Sequence, residues 1–420
     1  MTSESATPTS PTPTGPRRAA VIFIFLTVVF DMLALGVVIP VLPKLVESFV
    51  AGDVPKAAEI VGVMGTVWAL MQFFFSPVQG ALSDRFGRRP VVLASNFGLG
   101  CDYILMALAP SIGWLFLGRA ISGITSASFS TASAYIADVT PPEKRAGSFG
   151  LIGAAFGIGF ILGPAVGGIL SAYDLRLPFW VAAGLSLANG LYGLLILPES
   201  LPKERRAPFS WARANPVGAL NLLMRQPALL GLAGVVFLYY LAHQSLPSVF
   251  VLYAIDRYGW DQRTIGLTLT AVGVCSMIVQ GGVVRPFVAK FGERPALVIG
   301  LLTGGLGFAI YGLAVSGPIF WIGVPVMSLL GLTSPAAQGL MTRRVDPTEQ
   351  GRLQGAIGSI MGITGVIGPG LFTQTFAAFI GPERDWHLPG AAFLLAALLL
   401  GIGTLLAWSI TRRPATLHNP

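Results

Sequence analysis

Three charged side chains stand among residues that are almost all apolar. They are Asp31 in VIFIFLTVVFDMLALGVVIP, Asp102 in GLGCDYILMALAP and Arg119 in WLFLGRAISGI. Placing a charge at the centre of a bilayer costs roughly 2.5–3.5 kcal/mol on insertion scales, so such residues mark proton paths, substrate sites or paired contacts. Arginine does not deprotonate in proteins, whereas aspartate titrates. A carboxylate in a cavity that opens alternately to each side can take up a proton on one side and release it on the other. If a substrate competes for that group, exchange of substrate for proton follows. Proton coupling is therefore the chemistry expected of Asp31, Asp102 and Arg119, with a purely structural contact among them as the alternative.

A second group of side chains could line a binding cavity. Tyr239, Tyr240, His243, Gln244 and Ser245 occur together, and Gln72, Phe73, Phe129 and Gln280 are further candidates. An apolar, aromatic cavity with few polar groups suits amphipathic organic molecules. His243 could carry a proton or touch substrate, or it could simply be a histidine packed against its aromatic neighbours.

These residues need elements that carry them through lipid. The 420-residue chain is 53% apolar and 11% charged, against about 25% charged in soluble proteins. Its mean hydropathy is +0.72. The apolar residues come in blocks of about 20, the length that crosses a hydrocarbon core of about 30 Å. Twelve spans are expected, near 19–42, 61–82, 90–109, 114–136, 148–170, 178–197, 228–253, 264–285, 295–315, 318–341, 352–374 and 389–411. At about 1.5 Å per residue, Asp31 and Asp102 each lie about 18 Å into their spans, near the midplane. This is an all-α polytopic membrane protein of two six-helix bundles, 19–197 and 228–411, joined by a central loop, 198–227. Residues 1–18, rich in Ser, Thr and Pro, read as a disordered tail, and 412–420 as a second tail. The first apolar run is too long for a signal-peptide core and is expected to remain as a spanning helix.

The net charge of +8 is explained by topology. With the N-terminus inside, the cytoplasmic segments hold Arg17, Arg18, Arg85, Arg88, Arg89, Lys144, Arg145, Lys203, Arg205, Arg206, Arg213 and Arg225. The second half adds Arg285, Lys290, Arg294, Arg343, Arg344, Arg352, Arg412 and Arg413. The external loops hold only Lys44, Lys56, Arg176, Arg257, Arg263 and Arg384. Basic residues gather in cytoplasmic loops, so both termini are expected inside and no nucleic-acid partner is implied. Cys101 and Cys275 lie in separate apolar stretches and read as unbridged packing residues. His243, His387 and His418 are too scattered for a metal motif.

The chain repeats itself. GALSDRFGRRP (Gly80 to Pro90) and RPFVAKFGERP (Arg285 to Pro295) superpose at an offset of 205 residues. At the same offset, Gly163-Pro164 of GIGFILGPAVGG matches Gly368-Pro369 of GITGVIGPG, and the preceding VTPPEKR and VDPTEQG correspond within a residue. A duplicated six-helix unit places a substrate site between the halves near the midplane.

GALSDRFGRRP resembles the signature loop of the major facilitator superfamily, and GRAISG (Gly118 to Gly123) its fourth-helix arginine motif. GIGFILGPAVGG is similar to the fifth-helix motif of that superfamily's drug/proton antiporters, through Gly159, Gly163, Pro164, Gly167 and Gly168. DMLALGVVIPVLP, DYILMALAP, GITSASFSTASAYIADVTPPEKRA and YGWDQRTIGLTL resemble the tetracycline/proton antiporters in particular. Two departures stand out. Where tetracycline members carry an intramembrane histidine in span eight and an aspartate in span nine, this chain has Cys275 and Gly304 near those places. The resemblance implies a proton-motive exporter of amphipathic drugs in the bacterial inner membrane. It would be a monomer without cofactor or metal, its partners being protons, a small organic substrate and lipid.

Mechanical roles follow for the signature loop. Gly80 should let helix ends approach, and Gly87 belongs to the same loop. Asp84 is expected at the positive start of span three or facing a helix of the other half, where an anion is favoured. Arg85, Arg88 and Arg89 could pair with Asp138 as a conformational latch, or serve as a positive-inside stop. Small residues in span five would allow close packing, and Pro164 a kink. No phosphate-binding Gly-rich loop, zinc-protease or serine-hydrolase motif is present, so an enzyme or nucleotide-driven pump is not indicated. A transporter of an endogenous metabolite and a non-transporting receptor or lipid-handling protein are the remaining alternatives.

Overall fold

The computed structural model describes residues 16–126, 128–140, 145–209, 220, 223, 227–346, 349–381 and 387–412. Among them the chain forms twelve helical segments. In the first half these are α1 (Pro16–Val38, continued by Leu42–Phe49), α2 (Val54–Phe86), α3 (Arg88–Leu108), α4 (Ile112–Thr125, continued by Ser128–Val139), α5 (Arg145–Ser171) and α6 (Leu177–Ile196). In the second half they are α7 (Pro227–His243, continued by Ser245–Tyr258), α8 (Gln262–Ile278, continuing to Phe291), α9 (Glu293–Leu313), α10 (Gly317–Ser328, continuing to Thr342), α11 (Gln350–Ile380) and α12 (Ala391–Arg412). Ten segments are long and apolar enough to cross a membrane, and α4 and α5 supply two shorter apolar helices, Ile112–Thr125 and Gly157–Ser171. Large apolar side chains are exposed at helical spacing, as at Ile299, Leu302, Leu306 and Leu313 of α9 or Leu398, Ile402 and Leu405 of α12. In a protein that crosses a bilayer these stripes face lipid.

Several helices run past their expected limits. α1 begins at Pro16, inside the stretch read as tail, and α2 covers Val54–Phe86 rather than 61–82. Hydropathy falls where polar residues begin, but the backbone stays helical as long as its terminal groups find partners. Asp53 caps α2 by accepting a hydrogen bond from Lys56 N at 2.9 Å, and Asp261 caps α8 from Thr264 N at 2.9 Å. At the other end, both repeated loops turn on a glycine with positive φ, Gly87 at 107° and Gly292 at 85°. A residue with a Cβ rarely adopts that backbone, which explains the repeated Phe-Gly.

Within the first bundle α1 packs on α5 and α6, α3 on α6, and α2 on α4. In the second, α9 packs on α10 and α12, and α7 on α11 and α12. The halves meet through α2 against α11 and α5 against α8. Four helices are interrupted: α1 at Ile39–Val41, α4 between Thr125 and Ser128, α7 at Gln244 and α10 at a 3₁₀ turn, Leu329–Leu332. The pairing of first with seventh and fourth with tenth repeats the duplication. α8 adds a π turn, Val279–Val283, against Gly331 of α10. Irregular backbone at membrane depth is tolerated where it is buried in protein or lines a cavity.

Candidate transport site and signature loop

The three intramembrane charges come together in the first bundle. Asp102 of α3 is fully buried, Asp31 of α1 is 5% exposed and Arg119 of α4 is 8% exposed. All three lie close enough to the buried Tyr103 to act on it electrostatically. Asp102 faces Arg119 and Ser122 across the α3–α4 contact. The Arg119 guanidinium donates through Nη2 to Ser122 Oγ at 3.5 Å and approaches Met106 Sδ at 3.9 Å. Gly118 leaves the space for this arrangement, since a Cβ there would lie 2.8 Å from Asp102 Oδ1 and 2.6 Å from Met106 Cγ. Asp31 accepts a hydrogen bond from Asn189 Nδ2 of α6 at 3.1 Å.

The cavity candidates sit around the α2–α7–α11 junction. Gln72 Nε2 donates to Ser126 Oγ at 2.7 Å, beside the break in α4. The Phe73 ring lies against Gly362 of α11, and the Gln244 side chain lies against Gly368 and Gly365 of that helix. Gly365 also faces Ala69, so α2, α7 and α11 meet there. His243 is exposed although it sits in the middle of α7, with its ring 6.1 Å from that of Tyr239, which in turn is 4.8 Å from Tyr240. Gln280 is exposed on the π turn of α8. The α8 face that packs on α5 runs through Gln262, Gly266, Thr270 and Gly273, and the same row leads on towards Gln280. The Phe129 side chain lies outside the described residues.

Contacts between the halves are tight towards the end that carries the Asp53 and Asp261 caps. Thr66 Oγ1 donates to Val366 O, and Thr270 Oγ1 to Ile161 O, both at 3.1 Å. A Cβ on Gly62 would fall 1.8 Å from Thr373 Oγ1, and one on Gly266 2.4 Å from Pro164 O. An open cleft of about 620 Å³ lies at this end between Lys44, Ser171 and Leu175 of one half and Trp260, Gln262 and Arg263 of the other. It contains none of the intramembrane charges.

The span-five motif serves two interfaces. Gly159, Gly163 and Gly167 abut Met32, Gly36 and Val37 of α1, while Gly168 abuts Gln262 and Gly266 of α8. Pro164 lies inside α5, which runs through it without interruption.

The signature loop differs from expectation in three respects. Asp84 does not cap α3: it lies in the last turn of α2 and its Oδ1 accepts from Arg88 Nη1 at 2.6 Å. The carboxylate at the start of α3 is Glu199, just beyond α6, which accepts from Arg88 N at 2.8 Å and Arg89 N at 3.3 Å. An anion there satisfies the free N–H groups and the helix dipole together. Gly80 brings no elements together, for a Cβ there would meet nothing within 4 Å. Of the three arginines only Arg88 reaches Asp138, at 3.0 Å. Arg89 donates to Leu194 O at 2.7 Å, and Arg85 stacks over Phe86 at 5.1 Å. Sequence reasoning passed over Tyr103, Asn189 and Glu199. A lone asparagine in the apolar LSLANGLYGLL was a readable signal for one of them.

Gly304 and Cys275 are packing positions. A Cβ on Gly304 would lie 2.4 Å from Leu330 Cδ1, so this position is filled by the 3₁₀ turn of α10. Cys275 is half-buried, and both cysteines are free. Beyond them, towards the cap end, the second bundle closes with a block of rings: Tyr311 stacks on Phe320 at 4.1 Å, and Tyr253 donates to Tyr311 O at 2.7 Å. Among the described residues no group of His, Cys, Asp or Glu is arranged to hold a metal ion.

A duplicated twelve-helix bundle with buried charges in one half and a glycine-packed seam between halves is the architecture of a secondary transporter. The family model of the Major Facilitator Superfamily matches residues 24–369, and again 283–420, so the chain belongs to that superfamily and is a multi-pass inner-membrane protein. Within it, the chain is 38% identical to the class C tetracycline resistance protein of Escherichia coli, over 93% of this chain and 98% of that one. It is 35% identical to the class G tetracycline resistance protein of Vibrio anguillarum, over 94% and 98%. A solved structure of a bacterial homolog of the human lysosomal transporter Spinster shares the fold, with a TM-score of 0.74 at 17% identity, over 96% of this chain and 98% of that one.

Proposed function

We propose that the protein expels amphipathic drugs, tetracycline-like compounds among them, from the bacterial cell in exchange for protons, by alternating access. The observation that carries this reading is the convergence of Asp31, Asp102 and Arg119 on Tyr103 inside an apolar bundle, in a chain whose relatives include tetracycline resistance proteins. A charge at that depth is retained for use, and a carboxylate that changes protonation as access alternates supplies the coupling. The substrate sits between the halves, against Gln72, Phe73, Tyr240, His243, Gln244 and Gln280, in a site with aromatic walls and few polar groups. With the signature loops in the cytoplasm, the glycine seam closes the outer face and the site opens inward. The Arg88–Asp138 and Arg88–Asp84 pairs then act as a cytoplasmic latch that is remade as the halves rock. The proton-motive force is the only energy source required, and a monomer suffices.

Everted vesicles carrying the protein test this. Adding a transported drug should release protons and dissipate part of an imposed gradient with wild type, and should do so at least tenfold less with Asp31→Asn. Tetracyclines, fluoroquinolones and lipophilic cations are the compounds to compare. Proton movement with none of them would defeat the drug-export reading and turn the search to endogenous metabolites.

A further inference from the structure

Asn189 is fully buried in α6, a helix whose other buried residues are mostly small or apolar. Its amide nitrogen donates twice into α1, to Thr27 O at 3.2 Å and to Asp31 Oδ1 at 3.1 Å. Thr27 and Asp31 are one helical turn apart, so a single side chain grips that turn and orients the carboxylate on it. Both donors of the amide are thereby engaged on α1. The acceptor oxygen of the same amide, Asn189 Oδ1, is buried without a hydrogen-bond partner. A buried acceptor left unmatched is costly, and native structures seldom keep one without reason.

We propose that Asn189 is a positioning residue that reads the protonation state of Asp31, a role that rests on Asp31 being the proton carrier. When Asp31 is ionised it accepts from the Asn189 amide nitrogen, the arrangement present here. When Asp31 takes a proton it becomes a donor, and the matching partner is Asn189 Oδ1. Turning the amide about its terminal torsion presents that oxygen to the carboxyl hydroxyl and withdraws the second N–H bond from Thr27 O. The α1–α6 contact thus has two hydrogen-bonding states, one for each protonation state of Asp31. Two-state contacts of this kind convert a local proton into a helix shift.

Other titratable groups lie near Asp31 on the neighbouring helices. From α3 comes Tyr103, on which the charges of Asp31, Asp102 and Arg119 all act, and Asp102 in turn faces Arg119 of α4. From α6 the only other titratable group is Tyr192, stacked on Phe23 at 4.7 Å. The segment of α5 packed on α1, GIGFILGPAVGG, has none.

The test uses the full-length protein in proteoliposomes, with three variants. Asn189→Leu removes donor and acceptor while keeping the branched heavy-atom skeleton, Asn189→Ser keeps a small donor and acceptor, and Asp31→Asn checks the underlying reading. Drug-driven proton movement is followed against pH, drug/drug exchange is measured at fixed pH, and difference infrared spectra record the carbonyl band of protonated Asp31. Asn189→Leu should keep drug/drug exchange within about threefold but lose at least tenfold in proton-coupled transport. Its Asp31 carbonyl band should shift, and Asn189→Ser should recover part of the coupling. An unchanged pH profile and an unmoved band in both variants would reduce Asn189 to a packing contact. Loss of all transport with an unmoved band would do the same. Normal coupling in Asp31→Asn would instead overturn the reading of Asp31 itself, whatever the Asn189 variants do.

Discussion

Single residues decide where these helices start and stop. Asp261 is the clearest case, because its carboxylate holds Thr264 N and lies outside the lipid-crossing segments. The side-chain and backbone hydrogen bonds of Thr264 hold its carboxyl below the usual carboxylate range. A carboxyl depressed in the folded chain adds stability only while ionised. The contribution is present above the ordinary aspartate value of about 4 and fades as pH falls through the lower folded value. Asp261→Ala should therefore cost about 0.5–1 kcal/mol at neutral pH, the low end for an exposed cap. Thermal unfolding in detergent should show the gap between wild type and Asp261→Ala shrinking below about pH 4, whereas the gap between Asp261→Asn and Asp261→Ala stays constant with pH. A gap that persists undiminished in acid would mean that the carboxylate charge is not what caps α8. The signature loop shows the opposite situation. Asp84 carries the family's pattern, yet the helix start it was expected to occupy belongs to Glu199, over a hundred residues away in the chain.

Pairs of helices meet where side chains are smallest. On the α2–α11 and α5–α8 seams, Gly62, Gly168 and Gly266 let backbones touch, and packing of this kind replaces the hydrophobic drive that lipid removes. Enlarging Gly62 or Gly266 to valine should wedge the cap ends apart. Transport should fall at least tenfold in each variant, while a single cysteine placed at Ala172 becomes more reactive to an impermeant thiol reagent. Gly80→Ala is the control, since a Cβ there meets nothing, and it should transport like wild type. Wild-type transport by Gly266→Val would show that the seam does not need to close. The interruptions of α1, α4, α7 and α10 belong to this scale as well. They fall in helices that repeat positions one and four of the six-helix unit, where a bend can line a cavity without exposing backbone to lipid.

The whole molecule is asymmetric in charge although it is duplicated in fold. Asp31, Asp102 and Arg119 all belong to the first bundle, while the second packs Leu330 over Gly304 and closes towards the cap end with a stack of aromatic rings. If the halves rock as rigid units, spin-label distances at opposite ends should change in opposite directions. A pair at Tyr173 and Arg263, flanking the cap-end cleft, should lengthen when a transported drug is added. A pair at Arg85 and Lys290, on the two signature loops, should shorten by several ångströms. Changes of the same sign at both ends would exclude a rocking motion in favour of a uniform opening.

Hydropathy, charge placement and the 205-residue repeat were enough to read twelve spans, two bundles and the three intramembrane charges, because a bilayer imposes length and charge rules that act on the chain locally. The repeated Phe-Gly announced a turn that only glycine adopts readily, and the structure has it twice. Only the tertiary structure decided which partners those residues meet. Asn189 on Asp31, Glu199 on the start of α3 and Leu330 over Gly304 each join segments far apart in sequence. A buried polar atom is satisfied by whatever packing brings near, and that is a property of how helices cross rather than of the order in which they follow one another.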